Sequence, residues 1–274
     1  MAISVDLSGR LVLVCGAARG GISGATCRKA AAAGATVVAI DQTQALLDAT
    51  IADIEGTGGK CHGMVANLMD PAESDPIIET VVRRFGRLDA VANVAGGTRA
   101  DEWMPLEETS TRSFRDTLNL NLEYVFRICR DAAASWIKRD APGSIVNVTS
   151  ISALTSAPYH GPYGAAKSGM AALTRTMAFE WGRYGIRANS VAPGAVPSER
   201  VMSRVKTVAA GGKAGGSDDV VNTSMDELAN AIVFLLSDLA SGISGQNLVV
   251  DSAMSTKFCA GARPFKIVKR NPKV

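Results

Sequence analysis

Residues 16–24 read Gly16-Ala17-Ala18-Arg19-Gly20-Gly21-Ile22-Ser23-Gly24, and they join an apolar run, Leu11–Cys15, to an alanine-rich stretch, Gly24–Ala33. The apolar run predicts a buried strand, and the alanine-rich stretch predicts a helix. Glycines between them allow a tight turn and a close approach of the backbone to a ligand. The helix N-terminus then presents free N–H groups to a pyrophosphate. The segment therefore predicts a phosphate-binding turn, with a tight turn that binds nothing as the alternative.

Strand and helix patterns alternate along the rest of the chain. Further predicted strands are Thr36–Ile40, Leu88–Asn93, Ser144–Val148, Arg187–Val191 and Gln246–Val250. Predicted helices are Ala45–Glu55, Ile77–Arg84, Phe114–Trp136, Ala165–Tyr184 and Met225–Leu236. Continuous apolar strands, as opposed to alternating ones, fit a parallel sheet that is covered on both faces. We therefore predict an α/β fold, a single-domain Rossmann-like doubly wound parallel sheet with helices on both faces.

No repeat or linker divides the 274 residues, and this length suits one domain with a large core. We expect a dinucleotide-binding domain over 1–255 and a C-terminal extension over 256–274. The glycine-rich stretch Ala209–Asp219 predicts a mobile loop, either a lid or a surface insertion. The formal net charge of +3 is too small to indicate a nucleic-acid partner.

The cysteines and the apolar runs bear on the cellular compartment. The five cysteines are odd in number and lack CxxC spacing, which indicates free thiols in place of a disulfide framework or a metal site. They are Cys15, Cys27, Cys61, Cys129 and Cys259. The sequence shows no signal-peptide pattern and no apolar run long enough to span a bilayer. We therefore expect a cytoplasmic protein with no membrane partner and no metal.

Asp41 ends the second predicted strand, twenty-five residues after Gly16. A carboxylate at that place can accept hydrogen bonds from the adenosine ribose and would repel a 2′-phosphate, so it predicts NAD over NADP. Arg19 argues in the other direction, because a guanidinium in the glycine loop could reach a 2′-phosphate. Asp41 could also act as a helix N-cap.

Tyr163 and Lys167 are four residues apart, so their side chains share one face of a predicted helix. A phenol has a pKa of about 10, and a neighbouring ammonium favours the phenolate and lowers that pKa. Tyr163 could then give or take a proton near neutral pH. Ser150 follows the strand Ser144–Val148 and could bond a substrate oxygen. Asn121, in an apolar helical stretch, is either a structural hydrogen bonder or part of a proton relay.

Together these motifs resemble the short-chain dehydrogenase/reductase family, from about Leu7 to Asp251. The family's Asn-Asn-Ala-Gly segment corresponds to Asn93-Val94-Ala95-Gly96, and its Pro-Gly segment corresponds to Pro193-Gly194-Ala195-Val196. The resemblance implies that the catalytic residues are Asn121, Ser150, Tyr163 and Lys167. Lys167 would also hold the nicotinamide ribose, Val196 would contact the nicotinamide amide through its backbone, and Ser198 would lie by the phosphates.

These arguments together give one set of expected NAD contacts. The set is Gly16, Arg19, Gly21, Ile22, Ser23, Asp41, Asn67, Leu68, Asn93, Ala95, Gly96, Tyr163, Lys167, Pro193, Gly194, Val196 and Ser198. The sequence departs from the family pattern in several places. The glycine loop has one extra residue, and Ser23 replaces its usual final glycine. Val94 replaces the second asparagine, and Asp251-Ser252-Ala253 replaces a common Asp-Gly-Gly.

The resemblance implies an NAD-dependent oxidoreductase that interconverts a secondary alcohol and a ketone. A 3-oxoacyl reductase of the fatty-acid type is the main alternative. The related enoyl reductases place six residues between their tyrosine and lysine, and the position that would match from Tyr163 is Met170. A catalytically idle NAD-binding sensor is a third reading.

The substrate is expected to lie against residues 97–104, 151–160 and 197–216. Apolar side chains in these ranges suggest an alicyclic, steroidal or aromatic alcohol, although some of them could be core or interface residues. They are Trp103, Met104, Leu154, Tyr159 and Met202. His160 could contact substrate or be an exposed loop residue. The long helices Phe114–Trp136 and Ala165–Tyr184 are expected to form the interfaces of a homodimer or homotetramer.

Overall fold

A computed structural model of the chain describes residues 4–98, 103–196 and 223–256. In these residues seven strands form one sheet, in the order β3-β2-β1-β4-β5-β6-β7, and every neighbouring pair is parallel. The strands are β1 (Leu11–Cys15), β2 (Thr36–Asp41), β3 (Lys60–Val65), β4 (Ala90–Asn93), β5 (Gly143–Val148), β6 (Ile186–Pro193) and β7 (Asn247–Val250). The strand order reverses between β1 and β4, which opens a crevice at their carboxyl ends.

Helices cover both faces of the sheet. They are α1 (Ile22–Ala32), α2 (Gln44–Glu55), α3 (Pro71–Ser74), α4 (Ile77–Phe85), α5 (Thr111–Leu118), α6 (Tyr124–Lys138), α7 (Gly161–Gly182) and α8 (Met225–Leu236). Helices α1, α2 and α8 pack into one apolar core, and α4, α6 and α7 pack into the other, on the opposite face of the sheet. The predicted doubly wound parallel fold is confirmed.

Alternation of side chains along the strands divides each strand between the two cores. In β1, Val12 and Val14 belong to the core under α1 and α8, whereas Leu11 and Leu13 belong to the core under α4 and α6. Both faces are therefore apolar, and this explains why the strand sequence is continuously hydrophobic.

Strand β3 and the predicted helix Phe114–Trp136 differ from the sequence-based expectation. Strand β3 was not predicted, because Lys60, His62 and Gly63 interrupt its apolar pattern. It lies at the edge of the sheet, where polar side chains reach solvent. The predicted helix Phe114–Trp136 consists of α5 and α6 joined by one π-helical turn, Asn119–Glu123.

Two predicted features fall largely outside the described residues. The stretch Ala209–Asp219 and the extension 256–274, apart from Thr256, belong to that part of the chain, so the domain boundary at 255 stays a prediction. Among the described residues, no helix combines the length and the apolar character that crossing a membrane requires.

Trp136 links α6 to the sheet by a buried hydrogen bond and by packing. Its indole is fully buried, and Nε1 donates a 2.8 Å hydrogen bond to the Leu88 carbonyl just before β4. Gly143, the first residue of β5, lies directly against the ring, so that a β-carbon at this position would overlap it. The glycine is therefore required by packing and not by backbone conformation.

We expect Gly143→Ala to lower the free energy of unfolding by about 1–3 kcal/mol, because the added methyl group must displace the Trp136 indole. Gly182→Ala is the matched control, since a β-carbon there meets nothing within 4 Å. The control should be neutral or stabilising by about 0.5–1 kcal/mol, as alanine favours a helix over glycine. Urea unfolding of both variants measures the difference, and equal stabilities would contradict the packing argument.

Candidate active site

The glycine loop connects β1 to α1 at the strand-order reversal. Gly16 has φ of +96°, and a β-carbon on it would lie 3.2 Å from the Ala95 nitrogen at the end of β4. Gly21 precedes α1 without a side-chain cap, so the first N–H groups of the helix lack side-chain partners and can face an anion. The loop therefore has the form that a pyrophosphate requires.

The close-packing point of the loop is Gly24, which the sequence argument did not include among the cofactor contacts. A β-carbon on Gly24 would lie 2.6 Å from the carbonyl oxygen of Ala18 and 2.7 Å from that of Arg19. Ser23 precedes it and is buried on α1. The extra residue in the loop thus moves the required glycine one position along, and the fourth glycine of the segment was the signal for it.

Asp41 lies at the end of β2, beneath the loop. One carboxylate oxygen accepts a 2.7 Å hydrogen bond from the Ala17 N–H, and the other accepts one of 2.7 Å from the Gln42 N–H. An ionised carboxylate can accept further bonds, so it remains able to bind a ribose hydroxyl. The Arg19 guanidinium bonds the Asp53 carboxylate on α2 at 2.7 Å.

The segment after β4 makes room for the catalytic side chains. Gly96 has φ of +147°, and a β-carbon on it would lie 2.7 Å from Oδ1 of Asn121 and 3.3 Å from Nζ of Lys167. Ala95 contributes its carbonyl, which accepts a 2.6 Å hydrogen bond from the Tyr124 hydroxyl. A side chain at Gly96 would therefore displace both Asn121 and Lys167.

The Asn93 side chain does not reach this crevice. It is fully buried between the sheet and α6, where Nδ2 donates to Oδ1 of Asn147 at 2.9 Å and to Sγ of Cys129 at 3.2 Å. The expected cofactor contact of Asn93 stays a prediction, and its backbone would have to make it because the pleat turns the side chain into the core.

Asn121 lies on the π-helical turn and is fully buried. Its amide group forms two hydrogen bonds with the backbone of Gly97. Nδ2 donates to the Gly97 carbonyl at 2.9 Å, and Oδ1 accepts from the Gly97 N–H at 2.8 Å. Nδ2 also donates to the Thr117 carbonyl at 3.0 Å. The side chain therefore makes structural hydrogen bonds, and its part in a proton relay stays a prediction.

Tyr163, Lys167 and Ser150 come together where β5 ends and α7 begins. The Lys167 ammonium lies 5.6 Å from the centre of the Tyr163 ring, and it donates a 2.8 Å hydrogen bond to the Val148 carbonyl. Ser150 forms a side-chain hydrogen bond with Tyr163, and its Oγ accepts from the Ser152 N–H at 3.1 Å. Three of the four side chains predicted to be catalytic therefore share one site.

Burial controls the ionisation of this group. It raises the pKa of Tyr163 above its usual value, and the Ser150 hydrogen bond only partly opposes that change. It also lowers the pKa of Lys167 to about 7. The expectation that Lys167 would lower the Tyr163 pKa is therefore not met, because removal from water favours the neutral form of both groups.

The remaining predicted contacts lie on either side of this group. Gly194 packs against Asp251, where a β-carbon would come within 2.7 Å of the aspartate side chain, and Val196 is half-buried. Pro193 ends β6, and Ser198 lies outside the described residues. Asn67 is exposed and Leu68 is buried.

Two polar side chains near Asn121 bind the loop after β3, and neither could be recognised from the sequence. Nη2 of Arg127 donates to the Leu68 carbonyl at 2.9 Å, and Nδ2 of Asn119 donates to the Met69 carbonyl at 3.1 Å. Arg127 is buried and also pairs with Glu123 at 2.7 Å. In the sequence, this pair resembles an ordinary surface ion pair one helical turn apart.

Known proteins resemble the chain over most of its length. A family model described as enoyl-(acyl carrier protein) reductase matches residues 16–255. A 3-oxoacyl-[acyl-carrier-protein] reductase of Thermotoga maritima is 32% identical over 255 residues, which cover 90% of this chain and 98% of the relative. A 2,5-dichloro-2,5-cyclohexadiene-1,4-diol dehydrogenase of Sphingobium indicum is 31% identical, over 91% of this chain and 98% of the relative. The solved structure of a short-chain type dehydrogenase/reductase from Mycobacterium ulcerans superposes with a TM-score of 0.82 at 26% identity, covering 92% of each chain.

The lowered pKa of Lys167 predicts a pH-dependent cost to stability. The unfolded chain holds the Lys167 proton up to about pH 10, whereas the folded chain releases it near pH 7. Below pH 7 the full cost of burying the ammonium is therefore present, and it disappears as the pH rises towards 10. We expect Lys167→Met to be more stable than the wild type at pH 7, by about 2 kcal/mol.

Urea unfolding at pH 7 and at pH 9.5 measures this effect, and the advantage of Lys167→Met should shrink at the higher pH. The exposed Lys138, replaced by methionine, controls for the loss of a lysine. An advantage for Lys167→Met of the same size at both pH values would contradict the burial argument.

Proposed function

This chain belongs to the short-chain dehydrogenase/reductase family, a family of oxidoreductases, and on that premise we propose that it interconverts a secondary alcohol and a ketone with NAD. The observation that carries the proposal is the group of Tyr163, Ser150 and Lys167 at the carboxyl end of the sheet. Together these side chains offer a proton donor, a hydrogen-bond donor and a buried amine beside the crevice where a dinucleotide would bind.

The described residues fit a nicotinamide dinucleotide. Gly16 and Gly24 leave the room that the glycine loop needs, and the N-terminus of α1 suits its phosphates. Gly96 keeps the space beside Lys167 free of a side chain. When bound, the nicotinamide gives or takes the hydride, and the remaining steps belong to the side chains of this chain.

Tyr163 would donate its proton to the substrate oxygen in the direction of reduction, since burial keeps the phenol neutral. Ser150, already bonded to Tyr163, would donate a hydrogen bond to the same oxygen. In oxidation, a Tyr163 phenolate would take the proton from the alcohol. By family resemblance Lys167 would also hold the nicotinamide ribose, and Asn121 would support a proton relay.

Asp41 supports NAD as the cofactor. Its carboxylate lies at the end of β2 against the glycine loop, where it would repel a 2′-phosphate. Arg19, the residue that would favour NADP, is bonded to Asp53. Both observations favour NAD over NADP.

An apolar, ring-shaped substrate is part of the proposal. Trp103, Leu154 and Tyr159, in the ranges expected to line the substrate, expose much of their side chains, and the relative from Sphingobium indicum is named for a cyclic diol. A 3-oxoacyl thioester is the alternative, supported by the relative from Thermotoga maritima. The enoyl reductase named by the family model is not favoured, because Tyr163 and Lys167 are four residues apart.

A cytoplasmic homodimer or homotetramer is part of the proposal. In the described residues, four cysteines are buried as thiols, which supports a reducing compartment. Phe179 on α7 is 88% exposed, and Ile137 and Phe126 on α6 are also exposed. Apolar side chains of this kind, on the two helices expected at the interface, support self-association.

Tyr163→Phe tests the proposed chemistry. We expect NADH to bind normally while turnover of secondary alcohols falls by about 100-fold or more, because phenylalanine cannot exchange a proton. Tyr184→Phe, two residues beyond the end of α7, is the matched control and should keep full activity. Nicotinamide absorbance with aliphatic, alicyclic, steroidal and 3-hydroxyacyl alcohols provides the assay. Turnover retained by Tyr163→Phe would refute the assignment, and tight NADH binding without wild-type turnover on any alcohol would favour the idle sensor.

Asp41→Asn tests the choice of cofactor. We expect the wild type to prefer NAD, and the variant's ratio of kcat/KM for NAD over NADP to fall by about tenfold, since the charge that repels a 2′-phosphate is gone. Asp131→Asn on α6 controls for the loss of a negative charge. A wild type that prefers NADP would show that Arg19 outweighs Asp41.

A further inference from the structure

Three aromatic rings form a row that leads away from the catalytic phenol. The His160 ring stacks on the Trp103 indole, with ring centres 4.4 Å apart and planes 25° from parallel. On its other side the centre of the Tyr163 ring lies 5.8 Å away. His160 directly precedes α7, so it lies one helical turn before Tyr163. It is half-buried and not the exposed loop residue of the alternative reading.

The row is held by contacts between two loops. The Met104 N–H donates a 2.9 Å hydrogen bond to the Tyr159 carbonyl, and the Trp103 indole N–H donates one of 2.8 Å to the Thr98 hydroxyl. Tyr159 has φ of +65°, an unfavourable conformation for this residue type that turns the chain towards α7. The position of the His160 ring is therefore fixed by its surroundings.

The hydrogen bond of His160 determines which ring nitrogen remains available. Nδ1 lies 2.8 Å from the Pro158 carbonyl, and a carbonyl can only accept, so Nδ1 carries a proton. Burial lowers the pKa of His160, which favours the neutral ring near pH 7. In that form Nε2 is an acceptor, and among the described residues it has no hydrogen-bond partner.

Neither packing nor helix capping explains a histidine here. Stacking on Trp103 needs only an aromatic ring, which phenylalanine or tyrosine would supply. The His160 side chain makes no capping hydrogen bond to the first turn of α7. What histidine adds is an acceptor nitrogen beside the residue that is to bind the substrate oxygen.

We propose that His160 is a specificity-determining residue whose Nε2 accepts a hydrogen bond from a second hydroxyl group of the substrate. The inference rests on the proposed alcohol–ketone chemistry, and it narrows the substrate class to cyclic diols. One hydroxyl bonds Tyr163 and Ser150 and is oxidised, the second bonds His160, and the ring of the substrate packs along Trp103. A site built to bind a hydroxyl discriminates against an analogue that lacks it, because its acceptor is then left unpaired.

The test compares cyclohexanol with cyclohexane-1,2-, 1,3- and 1,4-diol, using the full chain and NAD. We expect wild-type kcat/KM to be about tenfold higher for at least one diol than for cyclohexanol. His160→Phe keeps a ring that can stack on Trp103 but removes Nε2. It should lose that preference, so that its kcat/KM for the diol falls to about its own value for cyclohexanol. His160→Gln, which offers an amide oxygen, should retain part of the preference.

The outcomes separate the two proposals. Turnover of cyclohexanol that is lost in Tyr163→Phe upholds the proposed function whatever the diols show. If the wild type turns over cyclohexanol but prefers no diol to it, the role proposed for His160 is wrong. An equal fall for cyclohexanol and diol in a folded His160→Phe also overturns it, since His160 would then act through the position of Tyr163. Absence of turnover on every alcohol overturns the proposed function and this inference with it.

Discussion

The absence of side chains at three glycines is the constraint on which the site depends. A β-carbon on Gly24 would collide with the loop that it supports, and one on Gly96 would take the space of the Asn121 and Lys167 side chains. Gly16 allows β1 and the end of β4 to approach closely at the strand-order reversal. Glycine loses more conformational entropy on folding than any other residue. Here that cost is accepted because the missing side chains keep a crevice open at the carboxyl ends of the strands.

Within this crevice, burial that stabilises the fold works against the charges that the proposed chemistry needs. Lys167 is only 2% exposed and is held by the Val148 carbonyl, and its pKa falls because water is excluded. Tyr163 is kept in its neutral form for the same reason. Burying a lysine in this way lowers the stability of the fold. In the resulting site, from which water is excluded, a small change of charge has a large effect.

Much of the framework follows from local patterns. The strand Leu11–Cys15 and the helix Met225–Leu236 were predicted with the bounds that the structure shows. The helix has a capping box between Ser224 and Glu227, which fixes its start. Strand β3 was missed because it lies at the sheet edge and lacks an apolar pattern. Its backbone pairing with β2 along the whole strand holds it in the sheet. The motif arguments also brought Tyr163, Lys167 and Ser150 to one place.

The sequence by itself determined most of the strands and helices, the glycine loop and the spacing of Tyr163 and Lys167, because each is a property of neighbouring residues. Only the tertiary structure decided that the Asn93 side chain is buried, that Arg127 holds Leu68, and that His160 lies between Trp103 and Tyr163. Arg127 and Leu68 are 59 residues apart. Contacts over such distances depend on how elements pack and on which way each side chain points, and neither is encoded in local periodicity.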